Sequence, residues 1–109
     1  MEHWGRYTDP AFLILASLGG GAKHGYAIME DIKAETGVAM GPGTLYAALN
    51  RLEERRWIEA IAGDARRRPY RLTDLGTEAL AEQARHYHRI AHLGLKRLGL
   101  AGLNGRDTL

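Results

Sequence analysis

The chain contains no cysteine, which excludes disulfides, thiolate catalysis and Cys-ligated zinc. It also lacks any uncharged apolar run long enough to cross a bilayer. The longest, Ala11 to Ala22, falls short of the roughly 20 residues required and holds three consecutive glycines. At the N-terminus, Met1-Glu2-His3-Trp4 places an acid where a signal peptide carries positive charge, and a proline follows soon after. Export is not indicated, no membrane partner is expected, and a cytoplasmic location is. Motifs of catalysis are missing as well: there is no Gly-x-Ser-x-Gly elbow and no His-Glu-x-x-His, and Gly19-Gly20-Gly21 precedes no Lys-Ser/Thr of a phosphate-binding loop. Neither an enzyme nor a cofactor is expected.

What remains is a chain of 109 residues, 45% hydrophobic and 26% charged, which fits one folded domain and neither a disordered nor a membrane-spanning chain. Its formal net charge is only +2, so the distribution of charge says more than the total. Residues 1–42 carry three basic and five acidic side chains, residues 43–73 seven and four, and residues 74–109 five and four. The excess lies in the middle. Within it, Arg66, Arg67, Arg68 and Arg71 face the single acid Asp64 between residues 64 and 73. Such a cluster is costly unless it is solvated or meets an anion.

Asp9-Pro10 reads as a helix start, with Asp9 as N-cap and Pro10 at the first position, where its missing N–H costs nothing. Ala11, Ile14, Leu15 and Leu18 give that helix one apolar face, and the glycine triplet ends it. A second helix is expected from His24-Gly25, with Ile28 and Ile32 one turn apart and a left-handed stop at Gly37. Met40 to Gly43 reads as a turn, and Thr44 as the N-cap of a third helix whose apolar stripe is Leu45, Ala48, Leu49 and Leu52. Its opposite face displays Tyr46, Ala47, Asn50 and Arg51. Trp57 to Ala62 and the alternating Tyr70 to Thr73 read as two short strands with an arginine hairpin between them. Thr73 or Thr77 then caps a last helix. There Leu80, Ala84, Tyr87, Ala91, Gly94 and Leu98 recur at spacings of four and three, a heptad seam. Residues 99–109 have no periodicity and read as a flexible tail.

Three short helices, a hairpin and a long final helix describe a mainly α fold with a small β-hairpin wing: a winged helix-turn-helix over residues 8–73 and an appended helix over 74–98. In such a motif the third helix enters the major groove of double-stranded DNA, so its outward face carries small or hydrogen-bonding groups. Thr44, Tyr46 and Asn50 occupy that part, and the acids Glu53 and Glu54 come only in the last turn. Arginines on the adjacent hairpin would neutralise phosphates or enter the minor groove. Taken singly, a charged hairpin tip is usually a solvated loop and a polar outer face is the default for a surface helix. Together, in this order, they point to DNA. The alternative is a winged helix that binds protein and not DNA.

His24-Gly25-Tyr26-Ala27-Ile28, Gly43-Thr44-Leu45-Tyr46 with Ala48-Leu49 and Arg51-Leu52-Glu53, and Tyr70-Arg71-Leu72-Thr73 with Gly76 together resemble the PadR-like transcription regulators, across residues 8 to 76. Three positions depart from the family pattern: Ala47 stands where Pro is usual, Arg56-Trp57 where Gly-Leu is usual, and Pro69 where Lys or an aromatic is usual. The resemblance implies a homodimeric repressor of a palindromic operator. It places Thr44, Tyr46, Asn50, Arg51 and the wing residues Arg66, Arg67 and Arg68 against DNA, with Lys23, His24 and Tyr26 as phosphate contacts. Tyr26 can equally be a partly buried packing residue.

The last helix also carries Ile90, Leu93 and Leu95 outside the seam, more apolar surface than a lone helix exposes, so a homodimer joined through Leu80, Ala84, Tyr87, Ala91, Gly94 and Leu98 is expected. Small members of the family often bind flat aromatic compounds between their final helices. The resemblance therefore implies a small aromatic effector against Trp4, Tyr87 and Ala91, although Tyr87 as interface core and Trp4 as an anchor of the first helix fit the same pattern. His88 and His92 stand one turn apart with His86 adjacent, a chelating spacing that no carboxylate or thiol completes, so no metal is expected.

Overall fold

Asp9 has an extended backbone, and its carboxylate accepts a hydrogen bond from the Ala11 N–H at 3.0 Å, opening helix α1 (Pro10–Leu18) with Pro10 in the first turn. The computed structural model describes residues 8–62 and 68–100. After α1 come α2 (Gly25–Thr36), α3 (Pro42–Glu54), strands β1 (Ile58–Ala60) and β2 (Tyr70–Leu72), and α4 (Asp74–Arg97). The fold is mainly helical with one antiparallel hairpin, as the order of sequence patterns implies.

One core joins these elements. Leu13, Ile14, Leu15 and Leu18 of α1 meet Ile28 and Ile32 of α2, Leu45, Ala48, Leu49 and Leu52 of α3, and Ile58 and Tyr70 of the hairpin. Burying a side chain of the leucine or isoleucine kind contributes roughly 1.5–3 kcal/mol. Helix α1 is the centrepiece, buried on more than the single face its periodicity implies, because Leu13 and Ser17 are covered as well. The Ser17 hydroxyl donates to the Asp31 carboxylate at 2.7 Å, which satisfies the polar group inside.

Two boundaries differ from the sequence reading. Helix α3 begins at Pro42 behind Gly41, two residues before Thr44, because proline at the first helical position is preset for the helix and needs no N–H partner. Thr44 therefore lies inside the first turn and is not the cap. The first strand is shorter than Trp57 to Ala62, since Trp57 belongs to the stop of α3. There the Arg56 N–H reaches the Glu53 carbonyl at 2.9 Å and the Trp57 N–H reaches Leu52 at 3.1 Å, a Schellman motif with Arg56 left-handed at φ 62°. The position where the family usually carries glycine is thus one that glycine fits without strain.

The hairpin pairs Ile58 with Leu72, Glu59 with Arg71 and Ala60 with Tyr70. Beyond it, the Ile61 N–H donates to the Pro69 carbonyl at 2.8 Å, so Pro69 keeps the pairing through its one remaining backbone group. Lys23 adds a third, single-residue rung by exchanging backbone hydrogen bonds with Tyr70 at 2.9 and 3.1 Å.

Thr73 caps α4 by accepting from the Gly76 N–H at 3.0 Å, while its own hydroxyl donates to the Arg56 carbonyl at 2.7 Å. Gly76 has no alternative: a Cβ there would lie 1.8 Å from the Trp57 carbonyl oxygen. The first half of α4 packs within the protomer. Leu80 sits against the core beside Gly19, and the Tyr87 ring lies 4.6 Å from that of Phe12. The second half leaves Ile90, Leu93 and Leu98 exposed. Among the described residues, no helix is long and apolar enough to cross a membrane.

Candidate nucleic-acid interface

The stripe that buries Leu45, Ala48, Leu49 and Leu52 turns Gly43, Thr44, Tyr46, Ala47, Asn50 and Arg51 to solvent. No acid occurs on α3 before Glu53. Its start is bare: Gly41 supplies no side-chain cap, and the first turn holds no acid. Helix α2 starts the same way, with an exposed His24 in the cap position and no side-chain hydrogen bond to the free amides. The other two helices are closed by Asp9 and Thr73. Uncapped N-terminal amides carry partial positive charge and favour an anion.

Gly25 brings these two bare ends together. A Cβ on it would fall 2.6 Å from the Tyr46 hydroxyl oxygen, so the phenol of α3 rests on the first turn of α2 only because residue 25 has no side chain. Sequence reasoning missed this contact. The one signal was a glycine at the start of a helix, where nothing local demands it. Tyr46 is thereby brought to the turn that carries the exposed His24 and Tyr26. Tyr26 is 67% exposed, which removes the alternative of a partly buried packing residue. A hydrogen bond to the Glu30 carboxylate, with that charge and slight desolvation, holds its hydroxyl above the usual tyrosine pKa.

Lys23, expected as a phosphate contact, is engaged within the protein. Its ammonium donates to the carbonyls of Ser17 at 2.6 Å and Gly21 at 3.2 Å and lies 4.0 Å from Asp31, closing the loop after α1. A lysine directly after a glycine run has no local mark of that task. On the wing, Arg71 donates to Glu59 at 2.8 Å across the hairpin, a half-exposed pair. The Arg68 guanidinium lies over the Tyr70 ring, 5.8 Å from its centre, and among the described residues its buried Nε has no hydrogen-bond partner. Arg66, Arg67 and Trp4 lie outside the described residues, as do residues 101–109 of the tail.

On α4 the seam divides. Leu80 packs on the core and Tyr87, though 42% exposed, meets the Phe12 ring of α1, while Ala84, Ala91, Gly94 and Leu98 are exposed. His88 and His92 are exposed too, and among the described residues no group of three or more metal-ligating side chains forms.

The chain is similar to known proteins in sequence and in fold. The model of the "Transcriptional regulator PadR-like family" matches residues 14–82. A Streptomyces fradiae relative, an uncharacterized 37.1 kDa protein in transposon TN4556, is 38% identical over 86 residues, which are 79% of this chain and 25% of that protein. The chain thus spans about a quarter of the length of this relative. Among solved structures, a PadR family transcription regulator from Clostridium difficile R20291 is 24% identical with a TM-score of 0.74, covering 84% of this chain and 99% of its own. A transcriptional regulator from Clostridium thermocellum is 25% identical, also with a TM-score of 0.74, covering 88% and 96%.

Proposed function

The chain belongs to the PadR-like family of transcription regulators, and from that premise we propose that it is a homodimeric repressor whose α3 reads a palindromic operator while the wing holds the phosphates. One observation carries this reading. The exposed face of α3 is free of acid from Gly43 to Arg51, and it lies beside two helix starts that have neither a side-chain cap nor a first-turn acid. A polyanion is the partner that such a surface suits.

In the proposed complex, Thr44, Asn50 and Arg51 meet base edges and the adjoining backbone, and Asn50 is suited to a bidentate contact with adenine. Tyr46, His24 and Tyr26 line the approach to a phosphate at the start of α2. Arg66, Arg67 and Arg68 hold the neighbouring phosphates or minor groove. Lys23 contributes by fixing the loop that presents His24. The exposed apolar residues of distal α4 support pairing of two copies. A small aromatic effector at that pairing, near Ala91 and Tyr87, would release the operator by changing the spacing of the two α3 helices.

The test is binding of the chain to duplexes selected from a randomised pool, measured from low to moderate salt. Arg66, Arg67 and Arg68→Ala together should weaken selected and scrambled duplexes alike and flatten the salt dependence, because phosphate contacts carry charge and no base information. Asn50→Ala should change base preference by about 1–3 kcal/mol and leave the salt slope nearly unchanged. A folded chain that binds no duplex in a salt-dependent way would overturn the reading in favour of a protein-binding winged helix.

A further inference from the structure

The residues around Ala47 limit what α3 can present to a base edge. Tyr46 is turned back onto Gly25, so its phenol follows the start of α2 and leaves the outward side of α3. Gly43 lies one turn before Ala47, has no side chain, and has nothing within 4 Å of the place where a Cβ would be. Arg51 lies one turn after and is exposed. Gly43, Ala47 and Arg51 therefore form a single outward row at spacings of four.

The first two members of that row give α3 very low relief, which allows its backbone to come close to the floor of a groove. The highest point there is the exposed Ala47 methyl. It neither donates nor accepts a hydrogen bond, and in the major groove the matching apolar feature is the C5-methyl of thymine, which cytosine and uracil lack.

We propose that Ala47 is a specificity-determining residue whose methyl meets the C5-methyl of one thymine in each half-site. The inference rests on α3 being the reading helix. Its test uses the full chain and the duplex recovered from a randomised pool, with each thymine replaced in turn by deoxyuridine to remove only the methyl. Replacement in one half-site should weaken wild-type binding about fourfold, the worth of one buried methyl-sized group, and replacement in both about 15-fold, and neither should have an effect on Ala47→Gly. The readout is a ratio within each protein, so a general loss of helix stability in the glycine variant cancels. If uracil is tolerated at every position, or the loss persists unchanged in Ala47→Gly, the proposal is overturned while sequence-specific binding stands. A pool in which no sequence is enriched would overturn the reading of α3 itself, and this inference with it.

Discussion

Helices α3 and α4 are both two-faced, but they leave opposite chemistries in water. Helix α3 buries Leu45, Ala48, Leu49 and Leu52 and exposes small and polar groups. In the distal half of α4 no residue is buried, and Ile90, Leu93 and Leu98 are exposed by 51%, 46% and 73%. A helix whose apolar stripe is fully used needs only water or an ion on its other side, whereas one with an unused apolar stripe needs another apolar surface. The difference supports the division proposed above, with α3 turned to a polyanion and distal α4 to a second copy. Between them, the first half of α4 is part of the winged-helix body, held by Gly76, Leu80 and Tyr87.

The hardest blow to this division is Gly76→Ala. The new methyl would meet the Trp57 backbone, which cannot move without disturbing the end of α3, so a loss of about 3 kcal/mol or more in unfolding free energy is expected by denaturant titration. A near-neutral result would mean that α4 is not anchored there. Next is Ile90→Glu with Leu93→Glu. Wild-type chain at micromolar concentration should sediment at twice the 12.1 kDa chain mass, and the double variant should sediment as a monomer with its thermal transition retained. Pairing should weaken at least about 100-fold, or about 2.7 kcal/mol, since each added charge would have to be desolvated. A dimer that survives both charges would place the interface elsewhere. The smallest effect has the opposite sign. Arg56 is left-handed at φ 62°, and Arg56→Gly should raise stability by about 1 kcal/mol, seen as a higher melting temperature.

Features set by near neighbours were legible in the sequence. Asp9 and Pro10 start α1, Gly37 stops α2 in the left-handed region, and the apolar period of α3 identifies its buried stripe, because each depends on residues within one or two turns. Thr44 was misread because a good capping residue competed with a proline two positions earlier, and the proline prevailed. Contacts between distant segments left no local trace. Gly25 under Tyr46, Gly76 against Trp57 and the Lys23 ammonium on Ser17 are consequences of packing, and only glycine's lack of a side chain hints at the first two. The heptad on α4 was visible, but periodicity alone cannot tell which of its turns are used inside the protomer. Leu80 packs on the core and Tyr87 meets Phe12, whereas Leu98 is exposed. Of the wing, Arg68 is seen folded over Tyr70, while the roles proposed for Arg66 and Arg67 rest on their charge and order in the chain.

The central claim is that α3 reads DNA while distal α4 joins two copies, and the stoichiometry on a selected duplex tests both parts together. Sedimentation of the wild-type chain with a duplex recovered from a randomised pool should give two chains per duplex. The enriched sequence should hold two inverted half-sites about one helical turn, or roughly 34–36 Å, apart. A single chain on an asymmetric site would contradict the account.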